Sequence, residues 1–164
     1  MFRLLGLFLL SIPVVWAKPL KVELKAPAAI LINADTGAIL YEKASHDRFF
    51  PASITKIATA LYVLEKYGHR LDEVVAASSQ ALSIVPSHEF HKHPPYRLQV
   101  GGTHMSLQVG EQLPVISLLY GLMLASGNDA ANVLAETVAG SVDRFMKDLN
   151  DFLRANGIQE TQFV

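Results

Sequence analysis

The stretch "FFPASITKIATALYVLEK", Phe49 to Lys66, sets the first constraint on the fold. Pro51 stands at a helix entrance, Ile54, Ile57, Ala58, Leu61 and Leu64 recur at helical spacing, and Gly68 follows as a stop. The spacing predicts an apolar helix opening at Ser53. Lys56 follows Ser53 by three positions and shares its helix face, with Cβ atoms about 5–6 Å apart. Two readings of this pair are open. In the first, Ser53 is an ordinary N-cap and the Lys56 ammonium reaches past the helix surface into solvent, which is how the pair reads in isolation. In the second, a helical core buries Lys56, desolvation disfavours its ammonium form, and the neutral amine takes the Ser53 proton. The Ser53 oxygen then attacks a carbonyl near the positive end of the helix, giving an acyl-enzyme.

A second stretch, "YGLMLASGNDAANVLAE", bears on the choice. Helical patterns run from about Val115 to Leu124 and from about Asp129 to Val138, and they meet at Ser126-Gly127-Asn128. By itself this is an ordinary interhelical turn, with Gly and Asn suited to left-handed backbone. In a site, Ser126 would relay a proton between Lys56 and a leaving amine, while Asn128 would orient Lys56 and hydrogen-bond a substrate amide.

Around these two stretches, residues 28–42, "AAILINADTGAILYE", give β-branched runs either side of Asp35-Thr36-Gly37 and predict a hairpin. A last helix is expected from Ser141 to about Ala155, with Val142, Phe145, Met146, Leu149, Phe152 and Leu153 on one face and Gly157 beyond its end. The polar, proline-bearing segment from Ser78 to Gly102 lacks sustained periodicity and reads as a long surface excursion.

The first residues, "MFRLLGLFLLSIPVVWAKPL", place Arg3 ahead of an apolar run that ends at Val15-Trp16-Ala17. This is the pattern of a secretory signal peptide over residues 1–17. The competing reading, a retained membrane anchor, has to work with an uncharged stretch that is short for a span. The 164 residues carry a formal charge of −1 and no cysteine. That balance argues against a nucleic-acid partner, and an exported chain without thiols has neither disulfides nor a cysteine nucleophile. The length fits one domain or part of a larger one.

Taken together, the segments "AAILINADTGAILYEK", "FPASITKIATALYVLE", "GGTHMSLQVGEQLPVISLLYGLMLASGNDAANVLAETVAGS" and "ANGIQETQFV" resemble the penicillin-binding serine D-alanyl-D-alanine carboxypeptidases. Paired S-x-x-K and S-x-N motifs are characteristic of penicillin-binding proteins. The resemblance implies an α/β fold of the β-lactamase and transpeptidase type, in which a helical cluster packs on an antiparallel sheet. It implies Ser53 as nucleophile, Lys56 as general base, and Ser126 with Asn128 as the second motif, Asn128 binding substrate. It further implies a stem-peptide substrate ending in D-Ala-D-Ala, trapping by β-lactams, no metal or cofactor, residence in the periplasm or cell envelope, and the C-terminal membrane anchor that relatives often carry.

The chain departs from the family pattern in two places. No K-T-G, the third motif, occurs in these residues, and "TQFV" falls where relatives continue toward strands that supply a carboxylate-binding cation and an oxyanion-hole N–H. Residues 18–164 are therefore expected to be the N-terminal part of a catalytic domain, holding only the first hairpin of its sheet. Loss of one oxyanion donor costs about 10²- to 10³-fold in rate, so these 164 residues by themselves are expected to be poorly folded or nearly inactive. The second departure is "SIVPSHEFHKHPPYRLQ", longer and richer in histidine than the family usually has there. His88, His91, His93 and His104 do not follow the H-E-x-x-H spacing, and the segment reads as an exposed loop, with a lid over the site as the functional alternative. Two further readings of the whole remain: a β-lactamase-like serine hydrolase, separable by its faster turnover of a labelled penicillin, and an exported relative without catalysis.

Overall fold

A computed structural model describes residues 22–164, so the expected leader at residues 1–17 lies outside the described residues. The chain divides after Phe49 into two compact units.

In the first unit, β1 (Ala29–Ile32) and β2 (Ile39–Lys43) pair antiparallel, Ala29 opposite Lys43 and Leu31 opposite Tyr41, with a register shift between Leu31 and Ile32. The Asn33 carboxamide oxygen accepts from the N–H groups of Asp35 (3.0 Å) and Thr36 (2.9 Å), which closes the turn by a side-chain mimic of a backbone bond. Gly37 completes it at φ 71°, a conformation that penalises any Cβ. The expected hairpin is present. Ile30 and Leu31, on opposite faces of the ribbon, are both more than half exposed.

The second unit, residues 50–164, is built on four helices: α1 (Thr55–Tyr67), α2 (Val115–Leu124), α3 (Asn128–Ala139) and α4 (Val142–Ala155). Val63, Leu118, Leu122, Leu134, Phe145 and Leu149 are fully buried at its centre, and the Tyr62 ring meets Phe145 edge-on at 5.2 Å between centroids. The Ser141 hydroxyl accepts from the Arg144 N–H at 3.2 Å and so caps α4 as its sequence position predicts. Four short strands, β3 (Val74–Ala76), β4 (Ile84–Val85), β5 (Leu98–Gln99) and β6 (Gln112–Pro114), form two small pairs: β3 antiparallel with β6, and β4 parallel with β5. The excursion from Ser78 to Gly102 is thus anchored at both ends. Ala81, Val85 and Leu98 are buried, and only its middle, with a 3₁₀ turn over Ser87–Lys92, lies open.

The structure corrects the reading of α1. The stripe of Ile54, Ile57, Leu61 and Leu64, whose spacing predicts the helix and would ordinarily mark its inward face, is exposed: 67% at Ile54 and 58% at Ile57. The buried face is instead Thr59, Ala60, Tyr62, Val63 and Tyr67. Lys56 lies three positions before Thr59, four before Ala60 and seven before Val63, on this inward stripe. The lysine is half-buried because of the face it occupies and not because of its most apolar neighbours.

Candidate active site

Ser53 lies in a 3₁₀ turn, Ala52–Ile54, that runs directly into α1. Neither this turn nor α1 has a side-chain N-cap hydrogen bond, so the ordinary capping role does not account for Ser53. Its oxygen accepts from the Ser126 hydroxyl at 3.0 Å. Lys56, one turn on, donates from Nζ to the Asn128 carboxamide oxygen at 2.7 Å. Burial pushes the Lys56 ammonium below its ordinary value of 10.5. The structure therefore brings all four sequence-predicted residues together, but as two cross-chain pairs. Among the described residues no hydrogen bond joins Ser53 to Lys56 directly, whereas the sequence reading paired those two with each other.

Backbone strain flanks both hydroxyls. Ala52 has φ 47° and Ser126 has φ 54°, left-handed conformations that non-glycine residues adopt at a cost of about 1–3 kcal/mol each. Such strain persists only where surrounding contacts over-determine it, and around Ser126 those contacts can be named. Gly127 is closely hemmed in: a Cβ there would stand 2.9 Å from the Asp129 carboxylate and 3.1 Å from the Met105 side chain. Gly127→Ala is expected to lower unfolding stability by about 1–3 kcal/mol through this overpacking, measured by denaturant titration.

Asp129, which sequence reasoning treated only as the start of a helix, organises the other side of the turn. It is 2% exposed. Its carboxylate accepts from the N–H groups of Met105 (2.9 Å), Leu107 (3.1 Å) and Ala130 (2.9 Å), while the Asn128 N–H donates to the Thr103 carbonyl at 2.9 Å. Residues 103–107 are thereby fastened along the base of the Ser126–Asn128 turn. His104 belongs to this fastening: its Nε2 lies 3.2 Å from the Gln99 carbonyl, and among the described residues its buried Nδ1 has no hydrogen-bond partner. The signal for Asp129 was the polar residue after S-G-N, but two of its three partners, Met105 and Leu107, are more than twenty positions away and leave no local trace. Asp129→Ala would strand the Met105 and Leu107 N–H groups. A loss of about 2–5 kcal/mol of stability is expected, checked by thermal unfolding.

A cavity of about 390 Å³ opens against the site, lined by Ser53, Lys56 and Asn128 and by Phe90, Tyr96 and Arg97 from the excursion. His88 and His91 lie on the 3₁₀ turn and His93 just beyond it. Among the described residues no three of His, Cys, Asp and Glu converge as metal ligands.

A hydroxyl pair beside a lysine–carboxamide pair, placed where two helices meet, lies in a fold shared with solved penicillin-binding proteins and DD-peptidases. Penicillin-binding protein 6B from Escherichia coli superposes with a TM-score of 0.74 at 30% identity, over 89% of this chain and 44% of that one. The Streptomyces K15 DD-transpeptidase gives 0.71 at 31% identity, over 88% and 53%. The family model described as D-alanyl-D-alanine carboxypeptidase, peptidase S11, matches residues 15–164, and the chain belongs to that family. Among curated relatives, the D-alanyl-D-alanine carboxypeptidase DacF of Bacillus subtilis is 35% identical over 142 residues, covering 85% of this chain and 32% of the relative. The chain spans about a third of the length of the curated relatives it matches.

Proposed function

We propose that the protein is a serine D-alanyl-D-alanine carboxypeptidase of the cell envelope, which removes the terminal D-Ala from peptidoglycan stem peptides through an acyl-Ser53 intermediate and is acylated by β-lactams at the same oxygen. The observation that carries this reading is the pair of hydrogen bonds, Ser126 to Ser53 and Lys56 to Asn128, made across 73 and 72 positions of sequence.

The steps follow from the groups at hand. Neutral Lys56 Nζ accepts the Ser53 hydroxyl proton as the oxygen bonds to the carbonyl carbon of the penultimate D-Ala. The tetrahedral intermediate collapses, the C–N bond breaks, and the leaving amine takes a proton from the Lys56 ammonium through the Ser126 hydroxyl, which both donates and accepts. Terminal D-Ala departs. Water then attacks the ester, gives its proton to Lys56, and the proton returns to Ser53 as the shortened peptide leaves. Asn128 holds Nζ in place through its carbonyl oxygen and presents its NH₂ to a substrate amide. These are acyl and proton transfers among side-chain oxygen and nitrogen atoms, and they use no cofactor.

The exposed apolar stripe of α1 and the exposed Ile30 and Leu31 of the hairpin support reading residues 18–164 as one part of a larger catalytic domain. The apolar run at residues 1–17 supports delivery across the inner membrane to the periplasm. Among the described residues no helix is long and apolar enough to cross a membrane. The full-length protein is expected to release free D-Ala from an acetylated peptide ending in D-Ala-D-Ala and not from one ending in D-Ala-L-Ala. Absence of release, or rapid turnover of penicillin in its place, would overturn the carboxypeptidase reading in favour of a β-lactamase-like hydrolase.

A further inference from the structure

The excursion that sequence analysis read as an exposed loop forms a wall of the cavity at Ser53 through Phe90, Pro95, Tyr96 and Arg97. Of these, Arg97 is held in place by identifiable contacts. Its N–H donates to the Pro94 carbonyl at 3.0 Å, and Leu98, the next residue, is 3% exposed and bonded to the Ser83 carbonyl at 3.2 Å. On the other side, the Tyr96 carbonyl accepts from the Asn132 carboxamide at 2.9 Å, and the same NH₂ group donates to the Ala81 carbonyl at 3.0 Å. Asn132 is 7% exposed and lies one turn after Asn128 on α3. One helix therefore fixes both ends of the cavity: its first residue holds Lys56 and its fifth holds the backbone that carries Arg97.

The Arg97 side chain is half-buried and only partly satisfied. One Nη donates to the Gln80 carbonyl at 2.9 Å, and the guanidinium lies 5.4 Å from the Tyr96 ring centroid. Among the described residues no carboxylate forms an ion pair with it. A guanidinium has five N–H donors in a rigid fork suited to a carboxylate, so most of its hydrogen-bonding capacity is uncommitted.

We propose that Arg97 is a specificity-determining residue that receives a carboxylate side chain on the peptide residue immediately preceding the terminal D-Ala-D-Ala pair. The proposal rests on the acyl-Ser53 reading above. The side of the scissile bond follows from the placement of Ser126. Ser126 is the relay to the leaving amine and does not line the cavity, whereas Lys56, Asn128 and Arg97 do. The leaving D-Ala therefore departs on the Ser126 side, and the cavity takes the acyl part of the peptide. An acidic side chain there meets the uncommitted donors of Arg97.

The test compares two near-isosteric peptides, acetyl-L-Glu-D-Ala-D-Ala and acetyl-L-Gln-D-Ala-D-Ala, as competitors of penicillin labelling in the full-length protein. The readout is the ratio of the concentrations that halve the labelling rate. The wild-type protein is expected to favour the Glu peptide roughly tenfold, a charge-assisted bond discounted for partial exposure, with the ratio shrinking as salt is raised. Arg97→Gln is expected to bring the ratio to about one, and Arg97→Lys, which keeps the charge and loses the fork, to an intermediate value. A wild-type ratio of one, or a ratio unchanged in Arg97→Gln, would overturn the proposal. A variant that merely loosens the wall weakens both peptides alike, leaves the ratio unchanged, and so counts against it. Absence of penicillin labelling in the wild-type protein would remove the acyl-Ser53 reading itself, and this inference with it.

Discussion

Ser53→Ala is expected to lower D-Ala release by about 10⁴- to 10⁶-fold and to abolish covalent capture of penicillin, because the oxygen that forms the ester is gone and no neighbour can replace it. The Ser126 hydroxyl is hydrogen-bonded to the Ser53 oxygen at 3.0 Å, yet it sits on the opposite turn, held at a strained φ of 54°. The Lys56–Asn128 bond does not involve Ser53, so Ser53→Ala leaves that bond and the folded state intact. Unfolding of the variant should coincide with the wild type, which separates loss of the nucleophile from loss of structure. A variant that retains a penicillin adduct would show that another group is acylated.

Lys56→Met is expected to lower the acylation rate by about 10²- to 10⁴-fold, the range for removal of a positioned general base. Methionine keeps much of the stem that lies along the inward face of α1 and removes only the amine. The wild-type pH profile carries the complementary expectation. Burial favours the neutral amine, so the proton-accepting form accumulates as pH rises through a value below the ordinary 10.5. The rate of penicillin labelling should climb along a limb that ends below that pH, and Lys56→Met should flatten it. The linkage to stability has the same sign. With the folded-state value depressed, the unfolded chain binds more protons between the two values, so stability increases with pH across that window. A labelling rate independent of pH, or a limb also present in Lys56→Met, would count against Lys56 as the base.

Most of the local structure was legible from the sequence, and the reason is local chemistry. Gly37 forces its turn through a positive φ, Ser141 caps α4 with its own hydroxyl, and the span Val115 to Leu124 matches α2 residue for residue. What the sequence obscured was which apolar face is inward. Ile54, Ile57, Leu61 and Leu64 form the more hydrophobic stripe of α1, but the helical core packs on the stripe that contains Lys56, Thr59 and Val63. A helix with two apolar sides cannot be oriented by periodicity, since both sides satisfy the same spacing.

The candidate site was legible in its four named residues and not in its wiring. Ser53 and Lys56 suggested a contact three residues apart, whereas each is hydrogen-bonded to a partner more than seventy positions away. The residues that hold the turn and the cavity, Asp129, Asn132 and Arg97, act through backbone groups of distant loops, and such contacts have no signature in spacing. The excursion shows the same limit. Its lack of periodicity was read correctly, but Leu98 and the Tyr96 carbonyl fasten it to the helical unit beside the cavity, so only its middle behaves as a free loop.

The most direct test of the central claim is to locate the penicillin adduct. The full-length protein is labelled, digested with trypsin and mapped by mass spectrometry. The adduct mass is expected on the peptide from Phe49 to Lys56, released by cleavage after Arg48 and Lys56, with fragmentation placing it on Ser53 and not on Thr55. An adduct on any other peptide, or a folded protein that carries none, would contradict it.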